Sequence, residues 1–250
     1  MTGTEYDVVV VGSGPAGLQA AIHASRRRLN VLVLGRSERS NAFRAQIDNV
    51  YGVQDATGSD LMVVGRQQAE QAGAGFLEED AVRLDRQDGR FIIETESGLA
   101  MRAKSIVLAT GASVPGEGVT GEQDFVGRGV SYCVDCDAPF FRGKPVAVVG
   151  GGSAAIEGAL TLAGVATEVH LIAPQIDVTE SLKARLEASS VIRHVPDEVA
   201  TIFGEDAVEA VATKRGRRIT VEGVFIEPAG RGALELTLPL GLRLDLGRGP

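Results

Sequence analysis

An α/β fold is predicted by one pattern written twice: a β-branched strand, a glycine-rich turn, a helix and a second strand. Residues 6–11 supply the first strand, Gly12-Ser13-Gly14-Pro15-Ala16-Gly17 the turn, residues 18–28 a helix and residues 31–34 the next strand. Residues 145–149 begin the second copy. Gly150-Gly151-Gly152-Ser153-Ala154-Ala155 follows, then a helix over 156–163 and a strand over 168–172. In this context glycines let backbone amides approach a pyrophosphate at the positive end of a helix. The fold class is therefore two Rossmann-like dinucleotide-binding domains. Two modules imply two nucleotides, read as a flavin on the first and a nicotinamide on the second, with electrons passing between them.

Between the copies, residues 91–96 alternate as a half-buried antiparallel strand does, with Gly89 and Gly98 at the flanks. Residues 105–109 form a short apolar strand ending in Ala109-Thr110-Gly111-Ala112, where backbone can come close to a ligand. Gly116, Gly118 and Gly121 mark a hinge out of the first domain. The acidic run Glu78-Glu79-Asp80 reads as a solvated approach to a strand rather than a metal site.

The only two cysteines, Cys133 and Cys136, stand three apart in Tyr-Cys-Val-Asp-Cys-Asp. A Cys-x-x-Cys pair commonly exchanges electrons as a dithiol, one thiol having a lowered pKa. Zinc needs four ligands, and His23, His170 and His194 are remote in sequence, so no metal site is expected. A structural staple is disfavoured too, because so short a loop removes little unfolded-state entropy.

A formal charge of −8 argues against nucleic acid as a partner, since phosphate binding needs a basic face. The clusters Arg26-Arg27-Arg28 and residues 215–218 read as solvated surface, one at a helix C-terminus and one at a hairpin turn. No apolar run approaches the length of a membrane span and the start is polar, so a cytoplasmic protein without membrane insertion is expected.

In order and spacing, Gly12 to Gly17, Ala109-Thr110-Gly111-Ala112, Gly127-Arg128-Gly129-Val130-Ser131-Tyr132-Cys133-Val134-Asp135-Cys136-Asp137 and residues 146–155 resemble the low-molecular-weight thioredoxin reductases. The similarity is dense over residues 1–172 and looser to about 244. It implies an FAD domain, residues 1–114, into which a nicotinamide domain, residues 115–244, is inserted. Residues 245–250 would begin the return to the FAD domain. It also implies an enzyme that passes electrons from FAD through Cys133 and Cys136 to thioredoxin or a thioredoxin-like protein, working as a homodimer. Carried over residue by residue, Cys136 would meet the flavin, Cys133 would attack the thioredoxin disulfide, and Asp137 would serve as acid or base. Asp135 would at most tune the pair.

For FAD the resemblance implies Gly12, Gly14, Pro15, Ala16 and Gly17 at the pyrophosphate, and Gly35 and Arg36 near the ribose. Glu38 would stand in for the acidic ribose ligand absent at Gly35. Asn49 would lie near the isoalloxazine, Val82 beside the adenine, and Thr110 and Gly111 would complete the set. The second nucleotide would meet Gly150, Gly152, Ser153 and Ala154.

Two departures matter. Where the family carries a histidine and arginines for the 2′-phosphate of NADPH, this chain has Ala173-Pro174-Gln175-Ile176-Asp177. A guanidinium clamp cannot be replaced by those side chains, so NADPH is not expected to be strongly preferred over NADH. A partner such as ferredoxin is an alternative donor. In addition, no Gly-Asp motif of the returning flavin segment is found, so FAD is expected to be held loosely, or the chain to be a truncated, poorly active module.

Overall fold

The computed structural model describes residues 5–47, 50–53, 55–111, 119–227 and 233–241. The chain divides into two compact units, residues 1–111 with 232–250 and residues 112–231, so the second is inserted into the first.

In the first unit, β1 (Glu5–Val11), α1 (Pro15–Arg26) and β2 (Val31–Leu34) build the opening βαβ crossover. A small antiparallel pair follows, β3 (Gln46–Ile47) with β4 (Ala56–Thr57), leading into α2 (Gly58–Gln71). Thr57 starts that helix as a capping box, accepting from the Asp60 amide while the Asp60 side chain accepts from the Thr57 amide. β5 (Gly75–Leu77), β6 (Ala81–Gln87), β7 (Arg90–Thr95) and β8 (Ala100–Leu108) complete a six-stranded sheet in the order β5-β2-β1-β8-β7-β6. Its first four strands are parallel and the last two antiparallel.

The parallel strands are apolar on both faces because both are covered. Val8, Val10, Val31 and Val33 pack with Ala21 and Ala69 on one side. Val9, Val11, Leu32 and Leu34 pack with Leu84, Ile93 and Met101 on the other. β8 starts five residues earlier than the apolar run at 105 suggests, since Ala100 to Lys104 are recruited by pairing with β7 and β1.

The second unit opens with Thr120 bridged to Thr201, followed by β9 (Val130–Ser131) and α3 (Val134–Asp137). β10 (Pro145–Val149), α4 (Ser153–Ala163), β11 (Glu168–Ile172), α5 (Glu180–Glu187) and β12 (Ile192–Val195) then repeat the βαβ grammar. An antiparallel meander, β13 (Val199–Gly204), β14 (Val208–Thr213) and β15 (Arg218–Thr220), precedes β16 (Gly223–Ile226). The parallel sheet has the order β12-β11-β10-β16-β9. One face packs on α3, α4 and α5 around Phe225, and the other packs on the meander around Val211 and Val224. Phe141 meets Phe225 edge-on, with ring centroids 5.1 Å apart. A Cβ on Gly223 would stand 2.3 Å from the Phe141 ring, which is why that strand begins with glycine.

After β16 the chain returns to the first unit. α6 (Ala233–Thr237) and the turn Leu238–Leu240 pack on β6, and Leu236, 1% exposed, joins Val9, Leu84 and Ile93 in the core. The boundary drawn at 244 from the sequence thus moves back to about 231. A short segment carrying one anchoring leucine has too weak a periodicity to announce its change of partner. The basic clusters fall where expected: α1 ends at Arg26, and residues 214–217 turn between β14 and β15.

Among the described residues no helix is long and apolar enough to cross a membrane. Gly116, Gly118, Asn49 and residues 245–250, all singled out in the sequence, lie outside the described residues.

Candidate active site

Cys133 and Cys136 form a disulfide with Cα atoms 5.4 Å apart. The local sequence explains their presentation. Val130–Ser131 pairs with the edge of β16, and Ser131 fastens the next turn: its Oγ accepts from the Cys133 amide at 3.0 Å and donates to the Cys133 carbonyl at 3.3 Å. Cys133 is then the N-cap of α3, its Sγ accepting from the Cys136 amide at 3.2 Å. Val134 is 4% exposed and anchors the turn in the core, while Cys136 stays exposed and Cys133 half-buried. Once reduced, a sulfur that receives a helix-start amide is favoured as thiolate, the nucleophilic form.

Asp137 is half-buried at the end of that same turn, its amide donating to the Cys133 carbonyl at 3.1 Å. Tyr132 donates to Glu122 Oε1 at 2.6 Å and accepts from Gln123 at 3.2 Å. Burial and then the Glu122 hydrogen bond push its hydroxyl up to about 12, so it is a fixed donor rather than a titrating group.

The first glycine turn is built for close approach. Gly12 has φ +111°, and a Cβ there would stand 2.1 Å from the Ala109 carbonyl; a Cβ on Gly17 would stand 1.8 Å from the Gly12 carbonyl. Pro15 opens α1, which has no side-chain cap and no acid in its first turn, leaving Ala16 and Gly17 at an uncompensated positive end. Ser13 Oγ is buried without a hydrogen-bond partner among the described residues. An orphaned hydroxyl beside bare helix-start amides fits the pyrophosphate of FAD.

Around this turn the fold gathers several of the residues singled out from sequence. Gly35, φ +123°, has its Cβ position 3.3 Å from the Ser13 amide nitrogen, and the Thr110 nitrogen lies 3.2 Å from the Cβ position of Gly12. Gly111 follows at φ +76°. The positive φ of Gly35, at the end of β2, is a backbone reason for glycine where an acid is usual in such folds. Glu38 is exposed in the turn Ser37–Arg39, and Val82 is 7% exposed at the start of β6.

Arg36 is engaged differently from what its place at the strand end suggests. Its Nη2 lies 2.5 Å from Glu96 Oε1 and its Nη1 3.5 Å from Asp80, with Arg39 a further 2.6 Å from Asp80. Glu96 is fully buried. The expectation of a solvated acidic run is therefore corrected: Asp80 is 15% exposed in this network, Glu79 accepts from Ser97, and only Glu78, paired with Arg66, is well exposed. Glu96 was missed because a lone carboxylate closing an alternating strand reads as surface.

The second turn repeats the design. Gly150 has φ +137°, with the Glu227 carbonyl 2.5 Å from its Cβ position, and Gly152 caps α4 without a side-chain bond or an acid in the first turn. Ser153 and Ala154 are buried. The loop after β11 folds onto this turn: the Gln175 carbonyl lies 2.0 Å from the Cβ position of Gly151, and the Asp177 amide donates to the Gly151 carbonyl. The turn thus fits a pyrophosphate, while residues 173–177 place no cation beside it.

Two glycine turns of this kind and a dithiol set just before the second define a flavin- and nicotinamide-linked disulfide oxidoreductase. The pattern of the pyridine nucleotide-disulphide oxidoreductases matches residues 6–243, and the chain belongs to that family of enzymes. It is 35% identical over 235 residues to the thioredoxin reductase of Aquifex aeolicus, covering 88% of this chain and 72% of that one. Among solved structures it is similar to the atypical thioredoxin reductase TRi of Desulfovibrio vulgaris Hildenborough, at 32% identity and a TM-score of 0.78, over 95% of this chain and 81% of that one. It is also similar to a ferredoxin-flavin thioredoxin reductase of Clostridium acetobutylicum, at 28% identity and a TM-score of 0.63, over 93% and 79%.

Proposed function

We propose that this enzyme reduces the disulfide of thioredoxin or a thioredoxin-like protein, as a cytoplasmic homodimer, with Cys133 as the attacking thiol, Cys136 as its flavin-facing partner and Asp137 as the group that moves their proton. The observation that carries this reading is the Cys136 amide aimed at Cys133 Sγ, which favours the thiolate on Cys133. FAD, held at residues 12–17 with Gly35, Thr110 and Gly111 nearby, Arg36, Glu38 and Val82 toward its adenosine half and Asn49 toward its isoalloxazine, would supply two electrons to the disulfide. Thiolate attack by Cys133 on the partner's disulfide gives a mixed disulfide; Cys136 then attacks Cys133, releasing the partner as a dithiol.

The donor follows from residues 173–177. Gly150, Gly152, Ser153 and Ala154 would hold the pyrophosphate of a nicotinamide dinucleotide, whose 2′-phosphate, if present, would gain no charge-assisted hydrogen bond from Ala173, Pro174 or Gln175. NADPH and NADH are therefore expected to reduce the enzyme with efficiencies within about tenfold of each other. Anaerobic titration with each, followed by flavin bleaching and then by thioredoxin reduction, tests this. A preference for NADPH of about a hundredfold, roughly 2.7 kcal/mol, would mean that other residues form a clamp. A second reading, with ferredoxin as donor, is supported by the same missing cations and by the similarity to the Clostridium acetobutylicum enzyme. It predicts bleaching by reduced ferredoxin and by dithionite but by neither nicotinamide.

A further inference from the structure

Tyr132 directly precedes Cys133, and although its side chain is exposed its hydroxyl is held by the protein. Most exposed hydroxyls are left to water. Here two neighbours take it: Glu122 Oε1 accepts at 2.6 Å and Gln123 Nε2 donates at 3.2 Å. Glu122 uses its other oxygen as well, Oε2 accepting from the Val119 amide at 3.0 Å, so both oxygens act as acceptors, as those of an ionised carboxylate do. A hydrogen bond to such an acceptor is stronger than one between neutral groups.

The far end of this tie is fixed. The Glu122 amide donates to the Val119 carbonyl at 2.8 Å. Thr120 is stitched to β13, its amide donating to the Ala200 carbonyl at 3.3 Å and its carbonyl accepting from the Ile202 amide at 2.8 Å. On the other side of Glu122, the turn Gln123–Phe125 ends in Phe125, 7% exposed, which packs in the core around Val211 and Val224. The carboxylate therefore stands on a segment anchored before and after it.

The near end is the dithiol. Ser131, itself buried, spans residue 132 from the inner side, its Oγ meeting both the amide and the carbonyl of Cys133, while the Tyr132 ring leaves on the exposed side to reach Glu122. Residue 132 is thus gripped from two sides. Cys133 follows it as the N-cap of α3, with buried Val134 next.

We propose that Tyr132 is a positioning residue for Cys133, its tie to Glu122 holding the reduced turn in the conformation in which Cys133 and Cys136 close their disulfide. Two thiols already placed for each other have a high effective concentration. Without the tie, the reduced turn gains freedom that the disulfide-closed turn does not, and the dithiol is favoured. With it the disulfide is favoured, and a dithiol that prefers to be oxidised is the stronger reductant toward a partner's disulfide. The Tyr132 hydroxyl, raised to about 12 by burial first and then by Glu122, remains a donor through the neutral range.

The test is equilibration of the purified full chain with glutathione buffers of graded ratio, followed by an acid quench and a count of free thiols by alkylation and mass. As Cys133 and Cys136 join they give up two electrons and two protons, which oxidised glutathione takes up to become two glutathione thiols. This reading rests on Cys133 and Cys136 being the working dithiol, yet exchange with glutathione needs neither thioredoxin nor a nicotinamide, so the two can fail separately. Tyr132→Phe keeps the ring and removes only the hydroxyl. It is expected to lower the equilibrium constant for disulfide closure by about tenfold, the size of one hydrogen bond to a charged acceptor, and Glu122→Met to do the same. The double variant should fall no further than either single one, because both break one tie. Should Tyr132→Phe fail to fold, Glu122→Met reads the same constant. A constant unchanged in whichever single variant folds, or two single losses that add in full in the double variant, overturns the proposal.

Discussion

Replacing Cys133 with serine is expected to abolish thioredoxin reduction, by about 10³-fold or more, while leaving the flavin reducible by dithionite. The hydroxyl of Cys133→Ser would occupy the same N-cap of α3 and accept the same amide, so the turn should survive. What is lost is the nucleophile, since a hydroxyl at its ordinary pKa forms no covalent bond to a disulfide. Cys136→Ser should also stop turnover but leave Cys133 able to form a stable mixed disulfide with the partner, trapped because no resolving thiol follows. Steady-state assays with thioredoxin, with the trapped adduct observed by mass, separate the two. Retained activity in Cys133→Ser would remove it from the attacking role.

The second large effect concerns stability. Glu96→Ala would leave the Arg36 guanidinium, 12% exposed, facing an apolar gap where a fully buried carboxylate had been 2.5 Å away. It would also remove the acceptor that the Asp80 amide meets at 3.2 Å. Breaking one side of a buried pair costs about 3–5 kcal/mol when the remaining charge is poorly compensated, and Asp80, 3.5 Å from Arg36, is already shared with Arg39. Chemical denaturation should show a loss of that size in the first unit, against less than about 1 kcal/mol for Arg83→Ala, whose pair with Asp85 is well exposed. An equally small change for Glu96→Ala would mean that water or Asp80 alone satisfies Arg36.

What could be read from the sequence was what repeats or alternates. Strands β2, β10 and β11 fall on the residues expected; in β2 and β10 an apolar run such as Val31–Leu34 has no polar residue to blur its ends. Both glycine turns were legible because their chemistry is local: a positive φ and a carbonyl against the missing Cβ fix the residue type. The helices start earlier than expected, α1 at Pro15 and α4 at Ser153, since their first turns consist of the glycine motif and carry no apolar periodicity. Contacts distant in sequence were not legible. Arg36 with Glu96, Leu236 in the first core and Glu227 beside Gly158 all join segments tens of residues apart, and a single sequence carries no signal for them.

A flavin and a redox-active Cys133–Cys136 pair that exchange electrons within one chain are reduced together. Anaerobic reductive titration of the flavin-loaded protein with dithionite measures this most directly. Uptake of about four electrons per chain is expected, two by the flavin and two by the disulfide, falling to about two in the Cys133→Ser variant. Uptake of about two electrons by the unaltered protein, with Cys133 and Cys136 still unreactive toward iodoacetamide after full bleaching, would contradict it.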